Sequence, residues 1–504
     1  MLHRLTLLYS EATVNICHHV IMKFSLSASA PKSDVLALFF YKNEKLSAVQ
    51  RKLFNKTAEK MVEARFDAKD FTGEEGQMVT LFTSEGKIIL VGRGEKNKSV
   101  PKATELLGGQ LVALCKKLKA SRVAVEIPSE DLNELSHGMV LGAYEFERYK
   151  KKDPKEKGIE EIIFISKVDK INQTLLENLH AFQNASGLLR DLVNTTAGDM
   201  NTQNLVNEAK KVAKKNRLKI TVFDEEKLRK MGCGALAGVG QGAAVGPRMV
   251  ILEYKHGTKS KTPSIAFVGK GIVFDSGGMN LKPTGYIETM KEDMTGAATV
   301  LATFQAIAEL KLPGHFLGVL AIAENAISDR ALHPGDVVRA YSGKTIEVTN
   351  TDAEGRLVLS DALAYTEKNY KPTRIIDIAT LTGAVTVALG YHITGVMGND
   401  EKWMNAVMEA GKSTHERYWA LPLDEDFIKA TKGDFTDLKN DCKGTRAGTI
   451  MGAAFLKQFI EKTPWVHLDI GGTSWAEHPN ATTHYGATAV CLRTFMELAR
   501  NYKD

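Results

Sequence analysis

The chain has 504 residues, 25% charged and 43% apolar, a balance ordinary for a globular protein and long enough for more than one domain. Its net charge of +6 is small for that length, and no apolar run reaches membrane-spanning length. Five scattered cysteines without a Cys-x-x-Cys pair exclude a disulfide framework and structural zinc, and no two histidines have His-Glu-x-x-His spacing.

In chain order, residues 1–21 read as a flexible tail or non-native extension, because Glu11, His18 and His19 interrupt the mild apolar runs and no cleavage pattern follows. Met22 is the expected start. Residues 22–170 read as a small α/β domain, with strands at Val35 to Phe40, Met78 to Phe82, Ile88 to Val91, Val123 to Ile127 and Ile162 to Ile165, and a helix at Lys102 to Leu118. Residues 171–195 form a linker helix, and 196–504 a larger domain. Its strands fall at Lys219 to Phe223, Met249 to Glu253, Ser264 to Val268, Phe316 to Ala321, Arg374 to Ile378 and Val466 to Ile470. Their alternation with helices predicts an α/β fold with a mixed central sheet covered by helices on both sides. Gly238 to Gly242 is a weak phosphate-loop candidate, since a strand follows it.

The residue types that carry chemistry gather in two places. In Asn350-Thr351-Asp352-Ala353-Glu354-Gly355-Arg356-Leu357, Asp352, Glu354 and Arg356 alternate, so an extended backbone points them the same way. Gly355 lets a backbone approach something closely. A divalent metal beside an anion held by Arg356 fits this stretch; so does a solvated strand edge with an ion pair. Upstream, Gly269-Lys270-Gly271 and Asp275-Ser276-Gly277-Gly278 form a glycine-rich turn at the end of a buried strand, where open sheets place active sites. Asp293 stands before an apolar helix reaching about Leu310, and alone reads as a residue at or near an N-cap. Together, Lys270, Asp275, Asp293, Asp352 and Glu354 bring four carboxylates and an amine. Burying that charge demands cations, and two divalent ions would serve.

These segments, with Met290 to Met294, Asp377 to Ala384 and His467 to Ile470, resemble the cytosolic leucyl aminopeptidase family, from about Leu192 to the C-terminus. The resemblance implies a metal-dependent aminopeptidase that releases leucine-like N-terminal residues by attack of a metal-bridged water. One metal would be held by Lys270, Asp275, Asp293 and Glu354, and the other by Asp275, Asp352 and Glu354. Mn²⁺ and Zn²⁺ both suit the ligand set. Lys282 would stabilise the oxyanion, and Arg356 would hold a bicarbonate acting as general base. The family's pocket positions fall on Met290, Asn350, Thr380, Gly383, Gly471 and Ser474. A homohexamer and a cytoplasmic location are further implications. Departures at Met279-Asn280, Ala326 to Asp329 and His333 leave substrate preference open. Competing readings are another two-metal hydrolase, such as a phosphatase, and a DNA-binding protein. The DNA reading rests on lysine runs at Lys116 to Lys119, Lys150 to Lys157 and Lys210 to Lys219.

Overall fold

The computed structural model describes residues 21–96, 100–126, 132–151, 158–166, 170–442, 444 and 446–501. The expected tail, Ile127 and most of the Lys150 to Lys157 run lie outside them. The N-terminal unit contains β1 (Lys23–Ser27), β2 (Val35–Phe40), α1 (Lys56–Asp67), β3 (Met78–Thr83), β4 (Gly86–Gly92), α2 (Pro101–Lys117), β5 (Arg122–Glu126), α3 (Leu132–Ala143) and β6 (Glu161–Ile165). Its sheet has the order β1-β6-β5-β2-β4-β3, parallel except where β3 meets β4. Every residue of β2 is buried, as expected for a strand covered on both faces. The long helix α4 (Lys170–Asn194) leaves this unit and packs on the helix Thr295–Glu309 of the larger one.

The larger unit contains α5 (Thr202–Asn216), β7 (Lys219–Phe223), α6 (Glu225–Met231), α7 (Gly234–Gly240), β8 (Arg248–His256), β9 (Ile265–Asp275), α8 (Thr295–Glu309) and β10 (Gly314–Asn325). It continues with β11 (Val337–Arg339), β12 (Thr345–Glu347), α9 (Glu354–Tyr370), β13 (Ile375–Ala379), β14 (Thr394–Gly398), β15 (Tyr418–Ala420), β16 (Leu438–Lys439) and β17 (Trp465–Asp469). The main sheet has the order β15-β14-β17-β13-β9-β10-β8-β7. Its centre, β17-β13-β9-β10, is parallel, while β14, β8 and β7 join by antiparallel pairing. One core runs from the N-terminal sheet through α4 to the α8 side of this sheet; a second fills the α7 and α9 side. The fold is therefore α/β in two domains with a mixed central sheet. No helix among the described residues is long and apolar enough to cross a membrane.

Three local expectations change. β9 extends to Asp275, so Lys270 lies inside a strand and not on a turn. The Asn350 to Leu357 stretch is not extended: Asp352 sits in a turn and Glu354 opens α9, so Glu354 and Arg356 share a first helical turn. Asp293 is not the cap of α8. It belongs to a 3-10 helix, Ile287–Met294, and no side chain caps α8. Among the described residues, part of the charge in two of the lysine runs is paired: Lys116 with Glu145, Lys211 with Glu208, Lys215 with Glu309 and Lys219 with Glu253.

Candidate active site

The parallel strands end on one side of the sheet, and the site forms there. Asp275 ends β9 directly opposite Asn325, which ends β10. Its Oδ1 accepts hydrogen bonds from the Gly277 N–H at 2.9 Å and Asn325 Nδ2 at 2.8 Å, while Oδ2 meets Lys282 Nζ at 2.8 Å. Gly277 and Gly278 have φ of 84° and 64°, a left-handed turn that glycine adopts freely. That turn brings Lys282 back, its N–H bonding the Ser276 carbonyl at 3.0 Å. The Thr351 hydroxyl donates to the Gly277 carbonyl at 2.7 Å and ties the turn to the segment before α9. Asp352 then reaches Lys282 Nζ at 2.6 Å.

Lys270 reaches the second half of the cluster. Its Nζ lies 2.8 Å from both Asp293 Oδ1 and Glu354 Oε1, and donates to the Thr380 carbonyl at 2.8 Å. The Thr380 hydroxyl donates to Asp293 Oδ1 at 2.7 Å. Gly355 is needed for this approach: a Cβ there would stand 2.6 Å from Lys270 Cε and Nζ.

The structure thus gathers Lys270, Asp275, Lys282, Asp293, Asp352 and Glu354. Lys270, Asp275, Asp293 and Glu354 are buried and Asp352 is partly exposed. Four carboxylates against two ammoniums leave an excess of two negative charges when all are ionised. Burial raises the Asp275 carboxyl above the ordinary range, with Glu354 adding to the rise. Burial likewise raises Asp293, well above that range. Burial and then Asp275 raise Asp352. Burial works against the Lys270 ammonium, but Asp293, Glu354 and Asp275 outweigh it and hold the proton on. Lys282 is raised for the same reason, by Asp275 and Glu354 against burial.

The donor set fits hard divalent cations. Carboxylate oxygens of Asp275, Asp293 and Glu354 lie within 4.8 Å of one another. Asp293 Oδ2 and Glu354 Oε2 are buried without a hydrogen-bond partner. Buried anionic oxygens left unpaired are costly, and a metal would satisfy them.

Arg356 stands beside this cluster without pairing to its carboxylates. Its Nη1 donates to the Asn440 carbonyl at 2.7 Å, and its buried Nε has no partner. Burial lowers its pKa from arginine's ordinary value. Of the expected pocket positions, Thr380 touches the cluster directly. Asn350 Oδ1 accepts from the Asp352 N–H at 2.9 Å, and the Gly471 N–H donates to Asp469 Oδ1 at 3.1 Å. Met290 is half-buried on the 3-10 helix, and Gly383 is exposed before a short helix. Ser474 is buried and donates to Glu292 Oε2 at 2.8 Å.

Two residues to which the sequence reading gives no role adjoin the site. Asn325 holds Asp275 and, at 3.0 Å, the Thr351 carbonyl. An amide side chain shortly after the predicted strand Phe316 to Ala321 is the signal for it. Glu292 adjoins Asp293 in the chain, and burial pushes its carboxyl up to about 7.

The cytosol aminopeptidase catalytic-domain family model matches residues 187–496, and the N-terminal-domain model of the same family matches 37–153. The chain belongs to the cytosol aminopeptidase family. The probable cytosol aminopeptidase of Protochlamydia amoebophila (strain UWE25) is 36% identical over 499 residues, spanning 95% of this chain and 99% of that protein. That of Brucella melitensis biotype 1 is 39% identical over 459 residues, covering 88% and 93%. Among solved structures, the bottromycin maturation enzyme BotP in complex with Mn superposes with a TM-score of 0.82 at 29% identity, covering 93% of this chain and 99% of that one. As a cytosol aminopeptidase family member the chain is a hydrolase of the aminopeptidase class, and that family is metal-dependent.

Proposed function

We propose that this aminopeptidase releases N-terminal residues, preferentially leucine-like ones, from peptides at a centre of two divalent ions. Lys270, Asp275, Asp293 and Glu354 would hold one ion, and Asp275, Asp352 and Glu354 the other. The observation that carries this reading is the convergence of Asp275, Asp293 and Glu354, the last two each with a buried oxygen that no protein donor reaches, with Asp352 joined to them through Lys282. The likeness to a Mn-bound structure favours Mn²⁺, and the oxygen-rich set also suits Zn²⁺. Bound there, the cations would supply Lewis acidity toward the scissile carbonyl and acidify a water for attack at neutral pH.

The chain's own residues do the rest. Asp293 would accept hydrogen bonds from the substrate's free α-amine, which would restrict cleavage to the N-terminal residue. Lys282, ammonium-charged and flanked by Asp275 and Asp352, would donate to the developing oxyanion. The partnerless Nε of Arg356 supports a planar anion such as bicarbonate held by the guanidinium fork, acting as general base. Lys270 would ligate only as the neutral amine, so metal loading would require it to give up the proton that Asp293 and Glu354 otherwise hold there. Assembly as a homohexamer in the cytoplasm belongs to the same proposal, and light scattering of the purified protein measures the former. Turnover of leucine p-nitroanilide after Mn²⁺ or Zn²⁺ loading tests the reaction. A folded, loaded sample that releases no p-nitroaniline overturns it.

A further inference from the structure

Glu292 has hydroxyl partners but no cationic one. Ser474 Oγ donates to its Oε2 at 2.8 Å, and the Thr289 hydroxyl supplies a second hydrogen bond. Among the described residues no lysine or arginine forms an ion pair with it. Lys270 is committed to Asp293 and Glu354. Lys291, its chain neighbour, turns away: its ammonium donates to the Asn194 carbonyl at 2.9 Å and lies 5.5 Å from the Trp475 ring centre.

Its position is equally specific. Asp293 and Ser474 are buried, whereas Glu292 between them keeps part of its surface open to solvent. It therefore sits at the margin of the core and not within it. Through Ser474 it links the 3-10 helix carrying Met290 to the loop after β17 carrying Gly471. Thr380, on the loop after the adjacent parallel strand β13, is anchored to Asp293. These are the surfaces expected to receive the substrate's first side chain. The exposed Glu477, three residues past Ser474, is near enough to repel the Glu292 charge. A half-buried carboxylate with only hydroxyl partners is poorly compensated, and a ligand cation corrects that.

We propose that Glu292 is a specificity-determining residue, which accepts the terminal cation of a lysine or arginine side chain at the substrate's N-terminus. This deepens the aminopeptidase reading and rests on it. A lysine side chain is an apolar stem with a charge at its tip. Its stem would pass Met290 as a leucine-like chain does, and its ammonium would meet Glu292.

The test compares kcat/KM for lysine and norleucine p-nitroanilides, whose stems are alike and whose tips differ. Both substrates report the same folded fraction, so partial misfolding cancels in their ratio. Glu292→Gln is expected to lower the lysine-to-norleucine ratio by about tenfold or more, and Glu292→Asp, which keeps the charge, to lower it less. Calorimetric titration with free lysine and norleucine should show the same change without turnover. A ratio that ignores Glu292→Gln, with norleucine still cleaved, overturns this inference alone. A wild-type protein that cleaves neither substrate overturns the aminopeptidase reading, and this inference with it.

Discussion

Glu354→Gln changes one charge in the cluster and almost nothing of its shape. The side chain is 2% exposed, with Oε1 on Lys270 and a partnerless Oε2. In the protein stripped of metal, the amide can still accept from Lys270, which keeps Asp293 and the Thr380 carbonyl as well. The negative excess also falls from two charges to one. Loss of stability in that state should therefore stay within about 1 kcal/mol. The loaded state should respond very differently. Losing a group that only orients a ligand weakens metal affinity roughly 10–100-fold, so losing a ligand charge should cost at least about 100-fold. At free metal 100 times the wild-type Kd, binding stabilises by about 2.7 kcal/mol; a hundredfold weaker site gains only about 0.4 kcal/mol. At about 2 °C per kcal/mol, a shift of about 5 °C on adding Mn²⁺ would shrink to about 1 °C. Thermal unfolding with and without Mn²⁺, on both proteins, reads this directly. An undiminished metal shift in the variant would refute Glu354 as a ligand and the charge argument with it.

Other substitutions separate the roles of neighbouring residues. Lys282→Met should lower kcat for leucine p-nitroanilide about 10²–10³-fold with metal content retained; a small kcat loss would exclude oxyanion stabilisation. Asn325→Ala removes the amide that fixes Asp275 and the Thr351 carbonyl. Metal titration should then give an affinity roughly 10–100-fold weaker, and unchanged affinity would deny Asn325 a positioning role. Asp361 is a structural counterpart, buried in α9 and accepting from the Leu236 N–H at 2.8 Å and the Tyr341 N–H at 2.7 Å. Burial pushes its carboxyl up to about 7, against those backbone donors. The folded state thus holds a proton that the unfolded state gives up near pH 4. Its contribution to stability is complete below about pH 4 and lost as pH rises through about 7. Asp361→Asn should remove that decline, on the order of 1 kcal/mol per pH unit, from denaturant titrations between pH 5 and 8. Parallel pH profiles for the two proteins would contradict it.

Much of the site is legible in the sequence because its chemistry is concentrated in short segments. Lys270 and Asp275 share one strand, and Asp352 and Glu354 one loop and helix start, so residue type alone points to them. The local conformation is less legible. Alternate charges at Asp352, Glu354 and Arg356 suit an extended backbone, yet the run from Glu354 to Tyr370 buries Leu357, Val358 and Leu359 together. Three consecutive buried apolar residues satisfy a helix wedged between other layers as well as a buried strand. Lys270 interrupts the apolar run of β9, which hides the strand's second half until its ammonium is seen to have carboxylate partners. Asn325 becomes functional only through its register with Asp275, and register is a property of the folded sheet. The strand at Thr394–Gly398 is short and glycine-flanked, with little periodic signal, and β15 at the sheet's edge has only three residues.

The central claim is that the negative excess around Asp275 and Glu354 is cancelled by a pair of cations. Anomalous diffraction from crystals grown with Mn²⁺ measures this without reference to activity. Two peaks per chain are expected among Asp275, Asp293, Asp352 and Glu354, and both should weaken in the Glu354→Gln protein. A cluster that stays free of anomalous density at saturating Mn²⁺, its carboxylates still paired only with Lys270 and Lys282, would contradict it.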